Sequence, residues 1–213
     1  MTDKPPDSGR NRIRTSLAPL LAFALALLAP PCAARADELD DILARLYAVA
    51  PADVEGAERT LEALAVRRPS DARVQAGLGL AKAYLGEQSR SAKLIREAVQ
   101  AGERAVSLNS YLAITYASRG SAYLAAGRYA RRKQERVEWL SKAAASFEAA
   151  AGRRGEQPWL NAFRRAQVIL EERKLGEAIA ALRECVKKEP RLPCVRLDLA
   201  RALVESGDRK SVV

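Results

Sequence analysis

Along almost the whole chain after residue 37, apolar residues recur at three- and four-residue spacing. No stretch alternates valine, isoleucine and aromatic residues with polar ones, as a strand would. Leu112, Tyr116, Tyr123 and Leu124 make one such stripe, and Ala178, Ile179, Leu182 and Val186 another. The stripes are interrupted at Pro51, Pro69, Pro158, Pro190 and Pro193, and at Gly127, Gly155 and Gly207. Proline ends a helix because it lacks the amide hydrogen and restricts the residue before it. The pattern predicts helices over 38–49, 53–67, 71–86, 89–107, 110–126, 130–152, 157–172, 175–188 and 192–206. The intervening segments are short, so consecutive helices must run antiparallel. The fold class is all-α, a chain of helical hairpins.

The hairpins repeat, at about 34 residues where they are tightest. From Tyr116 the chain reads YASRGSAYLAAGRY, with Tyr116, Gly120, Ala122, Tyr123, Gly127 and Tyr129 in the order of a first helix and its turn. ARVQAGLGLAKAYLGE from Ala72 and LARALVESGD from Leu199 read as further first helices. EAIAALRECVKKEP from Glu177 and AERTLEALAVRRP from Ala57 read as second helices closing on Pro190 and Pro69. In these motifs residues 38–210 resemble the tetratricopeptide repeat family. The resemblance implies a right-handed superhelix of stacked antiparallel hairpins, about 4.5 repeats with the last incomplete. Ala57, Ala122, Ala166, Ala178 and Ala200 are expected at close helix crossings. Gly127 and Gly207 are expected to cap helices in the left-handed conformation, and the tyrosines to wedge between helices. Three departures from the pattern stand out. The spacing is long between Gly86 and Asn109; residues Ala130–Glu138 are an insertion; and no second helix follows Gly207-Asp208. The last helix is therefore expected to dock elsewhere, for example on a second copy, or to continue in a longer chain.

The first 36 residues read as a leader. Lys4, Arg10, Arg12 and Arg14 outweigh Asp3 and Asp7, the apolar run Leu17–Ala29 follows, and Ala34-Arg35-Ala36 is a small-residue cleavage site. The run is short for a membrane span. The expected arrangement is a signal peptide over 1–36 and a tetratricopeptide-like domain over 37–213, exported to the bacterial periplasm. Lipid attachment at Cys32 is not expected, because Pro30-Pro31 precede it where a lipoprotein signal has a small residue. The arginines are never adjacent, so a twin-arginine signal is not expected either.

The chain has no histidine. This excludes a Ser-His-Asp triad, a histidine-bearing zinc site and a histidine proton relay. Gly77-Leu78-Gly79 fails the dinucleotide-loop spacing, because Lys82 stands where the third glycine belongs, and it suits a helix crossing instead. No phosphate-loop motif occurs. Glu171-Glu172 beside Arg173 and Lys174 suits a solvated helix face. No catalytic residue, metal or cofactor is expected. Cys185 and Cys194 flank the Pro190–Pro193 turn, and in an exported chain they are candidates for a disulfide. The formal charge is +10, but the pairs Arg67-Arg68, Arg131-Arg132-Lys133, Arg153-Arg154, Arg164-Arg165 and Lys187-Lys188 fall on several hairpins. They form no single stripe, so nucleic acid is not an expected partner. Membrane contact is expected only peripherally.

The family resemblance further implies a concave groove, lined by the first helix of each hairpin, that binds another protein or a peptide segment. Ser121, Gln167, Glu171, Arg201 and Glu205 are the candidate groove residues, expected to be exposed. The lysine and asparagine set that holds a peptide carboxylate in chaperone-binding members is not recognisable, since Lys82 stands alone. The reading is a non-catalytic interaction scaffold of the cell envelope. The alternative is an accessory transport subunit with a small-ligand pocket.

Overall fold

The computed structural model describes residues 32–47 and 53–207; of the leader expected over 1–36, residues 1–31 lie outside them and residues 32–36 fall in the first helix. The described helical residues from Leu39 onward form one compact unit. It holds the hairpins. Among the described residues the helices are α1 (Cys32–Tyr47), α2 (Val54–Arg67), α3 (Ala72–Ser89), α4 (Ala92–Leu108), α5 (Ala113–Tyr129), α6 (Lys133–Ala150), α7 (Pro158–Glu171), α8 (Leu175–Lys188) and α9 (Pro193–Glu205). These nine answer the nine expected from spacing and punctuation, and no strand occurs among the described residues.

Local signals set the helix ends. Asp71 accepts the amides of Arg73 and Val74, and Ser91 accepts that of Leu94, satisfying donors with no partner inside the helix. Pro158 and Pro193 each open a helix, where the missing amide hydrogen costs nothing. Gly207 takes the left-handed conformation after α9, as expected. Gly127 does not. It lies inside α5, buried, where a Cβ would stand 2.9 Å from Leu140 Cδ2, so its role is close approach to α6 rather than capping. The segment expected to be helical from residue 130 instead leaves Ala130–Arg132 as a short linker before α6.

From α2 to α9 consecutive helices pack on one another, and the first helices α3 and α5 also meet each other directly, as α5 with α7 and α7 with α9 do more briefly. The backbones of the second helices α4 and α6 stay apart. First helices therefore form the inner side of the stack and second helices splay apart on the outer side. The core is a string of clusters rather than one. Leu39, Ile42, Leu46, Leu61 and Val74 join α1–α3. Tyr123, Leu140, Phe147 and Val168 join α5–α7, and Phe163, Leu182, Val195 and Ala202 join α7–α9. Such a core grows by addition of neighbours. Of the alanines expected at crossings, Ala57, Ala122, Ala166 and Ala178 are buried, but Ala200 is only partly buried and Ala202 takes the crossing position. Of the tyrosines, Tyr123 is buried with its hydroxyl donating to Glu103 Oε1 at 2.8 Å, whereas Tyr129 is exposed.

The packing of α3, α4 and α5 is built mostly of small residues: Ala83, Ala98, Ala122, Ala125 and Ala126 are buried together there. A Cβ on Gly102 would stand 2.8 Å from Arg119 Cα, a backbone atom that cannot swing away. Gly102→Ala is expected to cost about 2 kcal/mol net, because forcing α4 from α5 outweighs the ~1 kcal/mol alanine gains in a helix. Gly176 in α8 has open space around its Cβ position. Gly176→Ala is expected to stabilise by about 0.5–1 kcal/mol. Urea midpoints of the two variants should move in opposite directions.

Candidate functional site

The inner side is lined by one face each of α3, α5, α7 and α9. α3 contributes Tyr84 and Glu87, α5 contributes Ser121 and Arg128, α7 contributes Arg164, Gln167 and Glu171, and α9 contributes Asp198, Arg201 and Glu205. Helical spacing aligns them, since residues three, four and seven apart share a face. They are joined side chain to side chain. Arg128 Nη1 donates to Glu87 Oε1 at 2.9 Å and its Nε to Glu171 Oε1 at 3.2 Å. Arg136 Nη2 reaches Glu171 Oε2 at 2.6 Å and the Glu171 backbone carbonyl at 2.9 Å. Arg201 Nη1 stands 3.6 Å from Glu171 Oε1, and its Nε donates to Glu205 Oε1 at 3.0 Å. Arg173 also pairs with Glu205. Alongside, Arg164 donates to Gln167 Oε1 at 2.9 Å and to the Tyr84 hydroxyl, and Gln167 Nε2 donates to Asp198 Oδ2 at 2.8 Å.

The five candidate groove residues thus share one side of the stack, but not the exposure expected of them. Glu171 is 6 % exposed because Arg128 and Arg136 from other helices close over it, and Gln167 is 8 % exposed between Arg164 of its own helix and Asp198 of α9. Ser121 is half-buried, and Arg201 and Glu205 are exposed. Arg128, Arg136, Arg164 and Asp198 complete the arrangement. Single-sequence reading passes over these four because each finds its partner in another helix. Arg136 comes from the expected insertion, and by donating to the Glu171 carbonyl it satisfies the C-terminal end of α7. Burial opposes the Arg128 charge, but Glu87 and Glu171 outweigh it and hold the guanidinium firmly ionised.

Between these helices, Tyr84, Ala117, Ser121, Phe147, Asn161 and Arg164 line a narrow cavity of about 30 Å³. A water needs roughly 10–15 Å³ of such space, and ligand pockets run to roughly 300–1,000 Å³. Asn161 Oδ1 faces no hydrogen-bond donor. Among the described residues no group of cysteines and carboxylates is arranged to hold a metal.

Lys82, solitary in the sequence, is not solitary in the fold. It is 7 % exposed, and its ammonium meets Glu97 Oε2 at 2.7 Å, Glu62 Oε1 at 2.9 Å and Glu58 Oε1 at 3.2 Å. It belongs to the packing of α2, α3 and α4, away from the inner face. Gly77 and Gly79 lie at helix crossings, as expected: their Cβ positions would meet Leu43 and Ser118.

The expected disulfide is absent from the structure. Cys185 and Cys194 are both free, and both lie in the apolar cluster of α7–α9. Burial pushes both thiols up, so they stay protonated and weakly nucleophilic at neutral pH.

No protein-family model matches the chain, and no curated protein matches it. Solved structures do. One is TTC0263, a thermophilic TPR protein of Thermus thermophilus, at 20 % identity over 73 % of this chain and 75 % of that one, with a TM-score of 0.62. Another is MamA, at 17 % identity over 75 % of this chain and 82 % of that one, with a TM-score of 0.51.

The fold is that of the tetratricopeptide repeat.

The hairpins α1/α2, α3/α4, α5/α6 and α7/α8, followed by α9, are the four and a half repeats of that array. In the tetratricopeptide arrangement the first helices line the concave side. Here that side carries its own network of arginines and carboxylates rather than an empty channel.

Proposed function

We propose that the chain is a non-catalytic protein-interaction scaffold of the bacterial envelope, which holds a protein or peptide segment against the inner face of its tetratricopeptide array. The observation that carries this reading is the network of Arg128, Arg136, Glu171, Arg201 and Glu205. Its side chains are held in place before any partner arrives, so little conformational entropy is lost on binding. The exposed end of the network, Arg201 and Glu205, offers both signs of charge to a partner, and half-buried Ser121 lines the cavity beside it. The leader pattern supports export, with the mature chain starting at Asp37. The inner cavity of about 30 Å³ gives the alternative, a transport subunit that carries a small ligand there, no room for the ligand. Self-association through α9 is a second reading, supported by Leu197 and Val204, which are 70 % and 50 % exposed on one face of that helix.

The test is chemical crosslinking in envelope extract, with the chain recovered by tag and its N-terminus sequenced. One defined partner should crosslink to the chain and be lost from the doubly reversed variant Arg201→Glu/Glu205→Arg, and the recovered chain should begin at Asp37. A partner retained by that variant would remove the inner face from the reading. An N-terminus at Met1 would remove export.

A further inference from the structure

On the side opposite the network, the splay of α4 and α6 leaves an open cleft of about 790 Å³. Ile95 and Val99 of α4 form one wall, Trp139 of α6 the other, and Ala126 and Tyr129 at the end of α5 the floor. Trp139 is recessed. Its ring lies 5.5 Å from that of Tyr123, at the base of α5 and α6. The rim is cationic. Arg96, Arg131 and Arg132 stand around it, all exposed and none engaged in an ion pair among the described residues, with Glu135 the one carboxylate of the lining. Three guanidinium groups without a carboxylate partner around one apolar cleft form a concentrated field.

We infer that this outer cleft is a second docking surface, independent of the inner face, and that its occupant is an acidic amphipathic helix of a partner protein. The apolar floor takes the helix's apolar stripe, and the arginine rim takes carboxylates on either side of that stripe. The cleft lies between two splayed helices, as a helix-in-groove site does. A lipid surface fits less well, since it needs apolar side chains that protrude, and Trp139 is sunk between helices. The chain's own leader is basic and does not complement the rim. Its acidic segment Glu38–Asp41 is bound to Leu39, Ile42 and Leu43, which are buried in the α1–α3 cluster of their own copy.

The experiment uses the full chain and three probes: a fluorescein-labelled helical peptide with leucines at positions i, i+4 and i+7 and glutamates elsewhere, the same peptide with lysines for glutamates, and phosphatidylglycerol vesicles. Anisotropy should show saturable binding of the glutamate peptide, weakening as salt rises, and none of the lysine peptide. Arg131→Glu/Arg132→Glu should weaken it at least tenfold, and Arg96→Glu should weaken it too. Arg183→Glu/Lys188→Glu, the same charge change on α8, should leave it unchanged. Circular dichroism checks that all variants are folded; the substituted residues are exposed. The inference is overturned if the glutamate peptide does not bind, if the lysine peptide binds equally, if the rim and α8 variants behave alike, or if only vesicles bind. Loss of the inner-face partner in the crosslinking experiment leaves this outcome untouched, since Arg201 and Glu205 are not part of the cleft.

Discussion

Lys82→Ala will lower the stability of the folded chain by about 3 kcal/mol. The Lys82 ammonium has three hydrogens, and each meets a carboxylate from a flanking helix: Glu58 and Glu62 of α2 and Glu97 of α4. Removing it leaves three carboxylates converging on an unfilled space. Breaking a buried pair from one side costs ~3–5 kcal/mol. The lower end applies because the Glu62 side chain is 52 % exposed and water takes up part of its charge. Urea unfolding at neutral pH measures the difference, and a loss under about 1 kcal/mol would show the node to be no stronger than a surface pair.

The pH dependence of this node follows from its two shifted groups. The hydrogen bond from Lys82 holds the Glu97 carboxyl below its ordinary 4.5, against the effect of burial. That stabilisation is complete above pH 4.5 and is lost as acid carries the pH through the lower folded value. Burial opposes the Lys82 charge, but its hydrogen bonds to Glu62, Glu97 and Glu58 outweigh this and raise its pKa above 10.5. Its contribution is complete below pH 10.5 and fades only as the pH rises through the folded value. Between these limits the node is insensitive to pH. Lys82→Ala should lie closest to the parent chain in acid, where the three carboxylates neutralise and their mutual repulsion disappears.

Glu171→Ala will loosen the second half of the array from the first, at a cost of about 3 kcal/mol. Glu171 accepts from Arg128 and Arg136 and stands beside Arg201, so one buried carboxylate ties α5 and α6 to α7 and α9. The apolar seam between α6 and α7 is slight beside the alanine-packed crossing of α3, α4 and α5. Without Glu171 the half-buried Arg128 keeps Glu87, but nothing equivalent holds Arg136. In a repeat array a weakened interface uncouples its two sides. Hydrogen exchange should therefore rise first in α7–α9, and denaturation should split into two steps. Glu171→Gln keeps the hydrogen-bonding shape without the charge and should lose about half as much. A single transition at the parent midpoint would refute the role given to Glu171.

The helices are legible in the sequence because their boundaries are written locally. Proline, a capping aspartate or serine, and the three-four spacing act within a turn or two, so the expected and observed ends of α8 coincide. The side of the stack is legible too: Ser121, Gln167, Glu171, Arg201 and Glu205 do gather on one side. Their burial is not. Arg128 and Glu171 are 43 residues apart, and nothing within α7 announces that a guanidinium from α5 will cover its carboxylate. The same distance hides the role of Lys82, whose partners lie 15 to 24 residues away on two other helices. Ala200 and Ala202 show the finer limit. Two residues on a helix are about 200° apart, so a small error of phase exchanges a crossing position for a flank. Gly127 misleads for another reason, since the glycine that ends a helix and the glycine that lets two helices touch have the same letter and differ only in what lies opposite.

The linker Ala130–Arg132 joins α5 to α6 outside their contact, which Gly127, Leu140 and Phe147 make without it. Its sequence is consequently decoupled from folding. Substitution there can redraw the electrostatic pattern of the outer cleft while every helix keeps its place.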